Sequence, residues 1–290
     1  MGFVALPWSM LLPALVMLLL GRLQKVAWAL VVAGCALAFV AEQLRPEALP
    51  VLAALGLAGV AIQPPRSFAL RIMGHLVFVL LALALRAHVA PGFNNPLVFD
   101  AQVSSGASVH RAYLNLDKLL VGLWLMAAWP GIDWAANRVE ALRMGTTVGL
   151  VTAAICIGIS WEIGLIAWDP KYPPGAAIWA INMVLLVCFC EEVVFRGYIQ
   201  SGLTHVFRRH AQGANVALLV SAVVFGLAHL DGGWRYALLC VVAASGYGIA
   251  YRRGGLLASI AAHATLNLLH FFLFTYPALD LDRHALATSS

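Results

Sequence analysis

The stretch CFCEEVVFRGY, Cys188–Tyr198, follows the apolar run IWAINMVLLV at 178–187. The run reads as a helix made for lipid, yet it leads into two adjacent carboxylates and an arginine. An ionised side chain near a bilayer centre costs roughly 2.5–3.5 kcal/mol on insertion scales, so such groups call for a partner or a function. On a helix, Glu192 and Arg196 are four apart with the acid N-terminal, the favourable order for an ion pair. Glu191 lies about 100° further round the same helix and can face elsewhere. One carboxylate is therefore expected to be paired, and the other to be free for chemistry.

The rest of the chain supports a lipid setting. Of 290 residues, 62% are hydrophobic and only 11% charged, against about 25% charged in a soluble domain. This is membrane-class composition. A spanning helix needs about 20 apolar residues. Candidate spans lie at 3–21, 25–42, 49–64, 68–87, 118–136, 146–168, 174–200, 214–231, 234–252 and 255–276. The third is short and the fourth carries Arg71 and His75, so the expectation is an all-α, polytopic membrane protein with about 8–10 transmembrane helices. The polar connection 88–117 separates an N-terminal region of about four helices, 1–87, from a six-helix region, 118–276, and residues 277–290 form a polar tail.

Arg and Lys sit singly or in pairs between the spans, with no basic stripe, so the net charge of +5 does not point to nucleic acid. Odd-numbered connections hold more of these cations than even ones, which assigns the odd ones to the cytoplasm. The five cysteines lie in apolar segments and form no CxxC, which argues against a disulfide framework or a zinc knuckle. The opening MGFVALPW lacks a basic n-region, so no cleaved signal peptide is expected.

Two further segments place polar groups on apolar helices. In VVFGLAHLDGGW, Phe225 and His229 are four apart. In SIAAHATLNLLHFF, His263 and Asn267 are four apart. Each segment alone also fits a structural part: a helix end, an interfacial histidine, or a hydrogen bond used in helix packing. Together with Glu191 they supply carboxylate, imidazole and carboxamide in the same third of the chain. That is the inventory for activating a water and stabilising an oxyanion. His75, His205, His210 and His270 have no such companion and read as structural.

The order EExxxR (Glu191, Glu192, Arg196), FxxxH (Phe225, His229) and HxxxN (His263, Asn267) resembles the CAAX-protease and bacteriocin-processing (CPBP, or Abi) family of intramembrane proteases. The resemblance covers about residues 174–275. It implies Glu191 as general base on a water that His229 also holds, His263 and Asn267 as oxyanion donors, and Glu192 with Arg196 as a supporting ion pair. It also implies a membrane protein or peptide as substrate, cut near its terminal segment. A multi-pass protein of a bacterial inner (plasma) membrane is expected.

A zinc site takes three or four ligands from His, Cys and carboxylate, and Glu191, His229 and His263 offer three. Against zinc, the HExxH spacing is absent and an Asn is a poor zinc ligand. The expectation is a site without cofactor, with zinc as the alternative. Rival readings are a non-catalytic scaffold of the same fold and a small-solute or ion transporter. One tension attends the protease reading: the span boundaries put Glu191 toward the cytoplasmic side and His229 toward the outer side.

Overall fold

A computed structural model describes residues 2–134 and 137–279. Its helices are α1 (Trp8–Leu19), α2 (Gln24–Val40), α3 (Leu49–Ala61), α4 (Phe68–Arg86), α5 (Leu116–Ala128), α6 (Arg138–Glu162), α7 (Ala176–Val206), α8 (Gly213–Leu227) and α9 (Trp234–Leu273). The chain is an all-α membrane protein. Four helices, α4, α6, α7 and α9, are long and apolar enough to cross a bilayer.

The expected spans 234–252 and 255–276 are the two arms of α9. They are separated at Gly254 and Gly255, whose backbone leaves the helix; Gly255 has φ 66°, a left-handed region that a glycine enters without a Cβ penalty. The expected span 118–136 is the shorter α5, and residues 135–136 at its end lie outside the described set, as do 280–290 of the expected tail. The connection 88–117, read from its polarity as a loop, holds a two-stranded sheet, β1 (Leu97–Ala101) and β2 (His110–Tyr113).

The contacts divide the chain into two units. The first comprises Met1–Pro96 with Tyr113–Pro130, the second Leu97–Ala112 with Gly131–Ser290. In the first, Phe78 of α4 stacks on Trp124 of α5 with centroids 4.1 Å apart. The Trp124 indole N–H donates to the Leu55 carbonyl of α3. The Asp117 carboxylate at the start of α5 is bound by His88 Nδ1 at 2.6 Å and by Asn95 Nδ2 at 2.9 Å.

In the second unit, α6 lies against α9 with backbones in near contact. A Cβ added at Gly145 would stand 2.3 Å from the Ala258 carbonyl oxygen, and one at Gly149 would stand 2.8 Å from Ala262. Small residues spaced four apart are what close helix packing in lipid requires, since lipid provides little hydrophobic drive between helices. The approach matters here because Ala262 precedes His263. At the break in α9, Asp133 N–H donates to the Tyr251 hydroxyl and Leu256 N–H to the Asp133 carbonyl.

The sheet covers one end of α7 and of the second arm of α9. Trp179 of α7 stacks on Phe271 at 3.6 Å and donates its indole N–H to His110 Nε2 at 3.1 Å. Burial pushes the His110 pKa down. Ser104, between the strands, accepts from Tyr276 N–H, and its bond to Asp169 holds that carboxyl below the usual range, helped by Lys171.

Candidate active site

α7 carries the two glutamates at its middle. Its turns widen to i→i+5 spacing at Met183–Cys188 and again at Val193–Gln200, leaving Phe189–Glu192 as an ordinary turn between them. Wide turns inside long helices are found frequently at functional sites. The helix runs on to Val206 rather than ending near residue 200, so Glu191 stands midway along it.

Glu192 and Arg196 are both fully buried, with Arg196 Nε 3.2 Å from Glu192 Oε2. Arg196 Nη2 also donates to the Ala244 carbonyl at 2.8 Å. Its guanidinium lies 5.0 Å from the Phe225 ring and 5.5 Å from the Tyr247 ring. The expected pair is therefore present, but Glu192 does more than the i,i+4 spacing indicated. Its other oxygen, Oε1, accepts from His263 Nδ1 at 2.9 Å.

His229 follows the end of α8, where the chain turns through Leu230–Gly232. Its Nδ1 is 2.8 Å from the Phe225 carbonyl. A carbonyl only accepts, so Nδ1 carries the proton and Nε2 points away from α8. Nε2 of His229 lies 3.9 Å from Glu191 Oε1, and Nε2 of His263 lies 3.9 Å from Glu191 Oε2. Two imidazoles from different helices thus flank one carboxylate at the reach of a shared water. Glu191 keeps 29% of its side-chain surface exposed and His229 20%, against 6% for His263, so the carboxylate is more open on the His229 side. Asn267 sits one turn beyond His263. Its Nδ2 is 3.2 Å from Met183 Sδ and 3.9 Å from Cys188 Sγ, weak acceptors on α7.

The short α8 accounts for how Glu191 and His229 meet. From Gly213 to Leu227 it rises about 22 Å, against a hydrocarbon core of about 30 Å. His229 follows the last residues of α8, and the proximity of His229 to Glu191 sets that end level with the middle of α7.

Two aromatic rings order the imidazoles. Phe225 stacks on His229 with centroids 4.5 Å apart, and Tyr247 stacks on His263 at 4.4 Å. Phe225 belongs to a motif read from the sequence. Tyr247 does not; the sequence signal for it is only a hydroxyl-bearing ring within the apolar first arm of α9.

Ligands about 2.1 Å from one tetrahedral zinc stand roughly 3.4 Å apart. The Glu191–imidazole separations are wider, and among the described residues no group of three or more His, Cys, Asp or Glu is placed to hold a metal ion.

Residues 173–269 match the family model described as "Type II CAAX prenyl endopeptidase Rce1-like". The matched segment contains the EExxxR, FxxxH and HxxxN residues, from Glu191 to Asn267. No curated protein and no solved structure matches the chain.

Proposed function

We propose that the chain is an intramembrane endopeptidase that hydrolyses a peptide bond of a membrane-anchored protein or peptide near its terminal segment, using a water activated by Glu191 and His229. The observation that carries this reading is the placement of two imidazole Nε2 atoms beside the two oxygens of the partly buried Glu191 carboxylate. Water bound there has Glu191 as proton acceptor and His229 as second anchor. As its oxygen attacks the scissile carbonyl, Glu191 takes the proton and later passes it to the leaving amine.

The new oxyanion needs donors. His263 Nδ1 is committed to Glu192, so a donor at Nε2 requires the imidazolium form. Asn267 is the second donor, its Nδ2 resting against sulfur acceptors that a carbonyl oxygen readily displaces. A preorganised donor of this kind is worth about 2.7–4 kcal/mol in the transition state. In this mechanism no metal takes part. The bacterial inner membrane is the proposed location.

The test compares the sizes of membrane proteins in cells holding the wild-type chain or Glu191→Gln. The expected result is a membrane protein that accumulates uncut with Glu191→Gln. Identical profiles would favour a scaffold. For metal, purified active protein is expected to lack stoichiometric zinc and to keep its activity after exhaustive chelation. Activity lost on chelation and restored by zinc would overturn the metal-free mechanism.

A further inference from the structure

Each imidazole in the site has a hydrogen-bond partner at Nδ1 and an aromatic ring on one face. For His229 these are the Phe225 carbonyl and the Phe225 ring. For His263 they are Glu192 and Tyr247. A hydrogen bond at Nδ1 restrains χ2 of a histidine only within the wide angular tolerance of such a bond. A ring stacked on its face narrows that range and fixes where the far nitrogen points.

We infer that Tyr247 is a positioning residue of the site: its ring holds the His263 imidazole in the plane that aims Nε2 at Glu191. The Tyr247 and His263 rings are 14° from parallel. Tyr247 is 2% exposed, so the ring has little room to leave its place. Phe225 meets both rings edge-on, Tyr247 at 85° and His263 at 75°, which closes the side of the stack. On α9, Tyr247 is set between two anchored neighbours. The Ala244 carbonyl accepts from Arg196, and the Gly248 carbonyl accepts from Gln200 Nε2 at 3.1 Å. Both donors come from α7, the helix that carries Glu191. The residue that orients His263 is thereby tied to the helix His263 must face. The Tyr247 ring also lies near two groups that bear positive charge in the proposed mechanism, the Arg196 guanidinium and the His263 imidazolium. Its π-face favours both.

The assignment predicts that the ring, not the hydroxyl, is what acts. Its catalytic consequence rests on the proteolytic reading; its geometry does not, and the experiment separates the two. Histidine-selective NMR of the detergent-solubilised protein gives the geometry, with His263 assigned by the signal missing from His263→Gln. In the wild type, the His263 ring protons are expected upfield from the Tyr247 ring current. Tyr247→Met fills the volume without a ring and is expected to return them downfield, while Tyr247→Phe leaves them in place. Wild-type His263 signals without an upfield displacement would overturn the assignment, whatever any variant does.

The kinetic arm uses the membrane protein that accumulates uncut with Glu191→Gln. Tyr247→Met is expected to lower kcat on the order of 10²-fold, as misplacement by about an ångström does, with KM unchanged. Tyr247→Phe is expected to restore the wild-type rate. Undiminished kcat in folded Tyr247→Met, or equal damage in both variants, would overturn the role. If no protein accumulates with Glu191→Gln, the proteolytic reading fails and the NMR arm still decides what Tyr247 holds.

Discussion

His88 in the first unit and His263 in the second each bind a carboxylate through Nδ1, at 2.6 Å from Asp117 and 2.9 Å from Glu192. Both carboxylates are buried. The two pairs differ in what else is spent. Asp117 accepts from Asn95 Nδ2 and, through its other oxygen, from Lys118 N–H; Asn95 in turn accepts from Leu116 N–H. These bonds fasten the segment after α4 to the start of α5, and His88, 44% exposed, turns the rest of its ring to the surroundings. Glu192 is bound by a buried guanidinium, and the far nitrogen of its histidine meets a second carboxylate. A histidine–carboxylate pair is thus a staple in one unit and part of the proposed catalytic arrangement in the other. What separates them is the partner offered to Nε2.

The difference is open to direct tests. Glu191→Gln is expected to reduce cleavage by about 10³-fold, the scale of a general base, with thermal melting in detergent close to wild type. Asp117→Asn, measured per folded molecule, is expected to leave the cleavage rate unchanged. An equal loss in both would erase the distinction drawn between the pairs.

Next in size is Glu192→Gln. It leaves the Arg196 guanidinium buried without its counter-charge, which costs about 3–5 kcal/mol, and it loosens His263. Melting and cleavage should both suffer, whereas Glu191→Gln affects cleavage alone. Equal melting of the two variants would contradict this division.

His88→Gln removes one bond from a carboxylate that keeps Asn95, and a loss of about 1 kcal/mol is expected in chemical denaturation, with cleavage intact. The smallest effect concerns acid. The Asp169 carboxyl is held below its ordinary range, first by Ser104 and then by Lys171. Its contribution is present above the unfolded-state pKa and is lost as pH falls through the depressed folded-state value. Hydrogen exchange in residues 97–112 is expected to rise over that acid window, and Asp169→Asn should abolish the pH dependence.

The parts of the molecule that can be read from sequence are those governed by local spacing. The Glu192–Arg196 pair follows from four residues on one helix. The break in α9 shows in adjacent glycines after Arg252 and Arg253. The parts hidden from sequence depend on partners far along the chain. The second bond of Glu192 goes to His263, and Tyr247 matters only because α9 folds back at Gly254–Gly255 and lays its second arm beside its first. The β1–β2 sheet was hidden for another reason: its strands are short and mixed in polarity, and Phe99 and His110 find Phe271 and Trp179 on helices far along the chain. The true length of α7 was obscured by the polar residues Ser201–His205, which continue the helix where hydropathy suggests that it stops.

The shortness of α8 has a consequence for the lipid around it. A helix that falls several ångströms short of the hydrocarbon thickness is matched by the bilayer thinning beside it, at a fraction of a kcal/mol per ångström. Thinning beside α8 would bring headgroups and their hydration toward its C-terminal end, the end next to His229 and Glu191. In the proposed mechanism the surrounding lipid would then be part of the water supply, and acyl-chain length in the host membrane is expected to change the cleavage rate without any change in the protein.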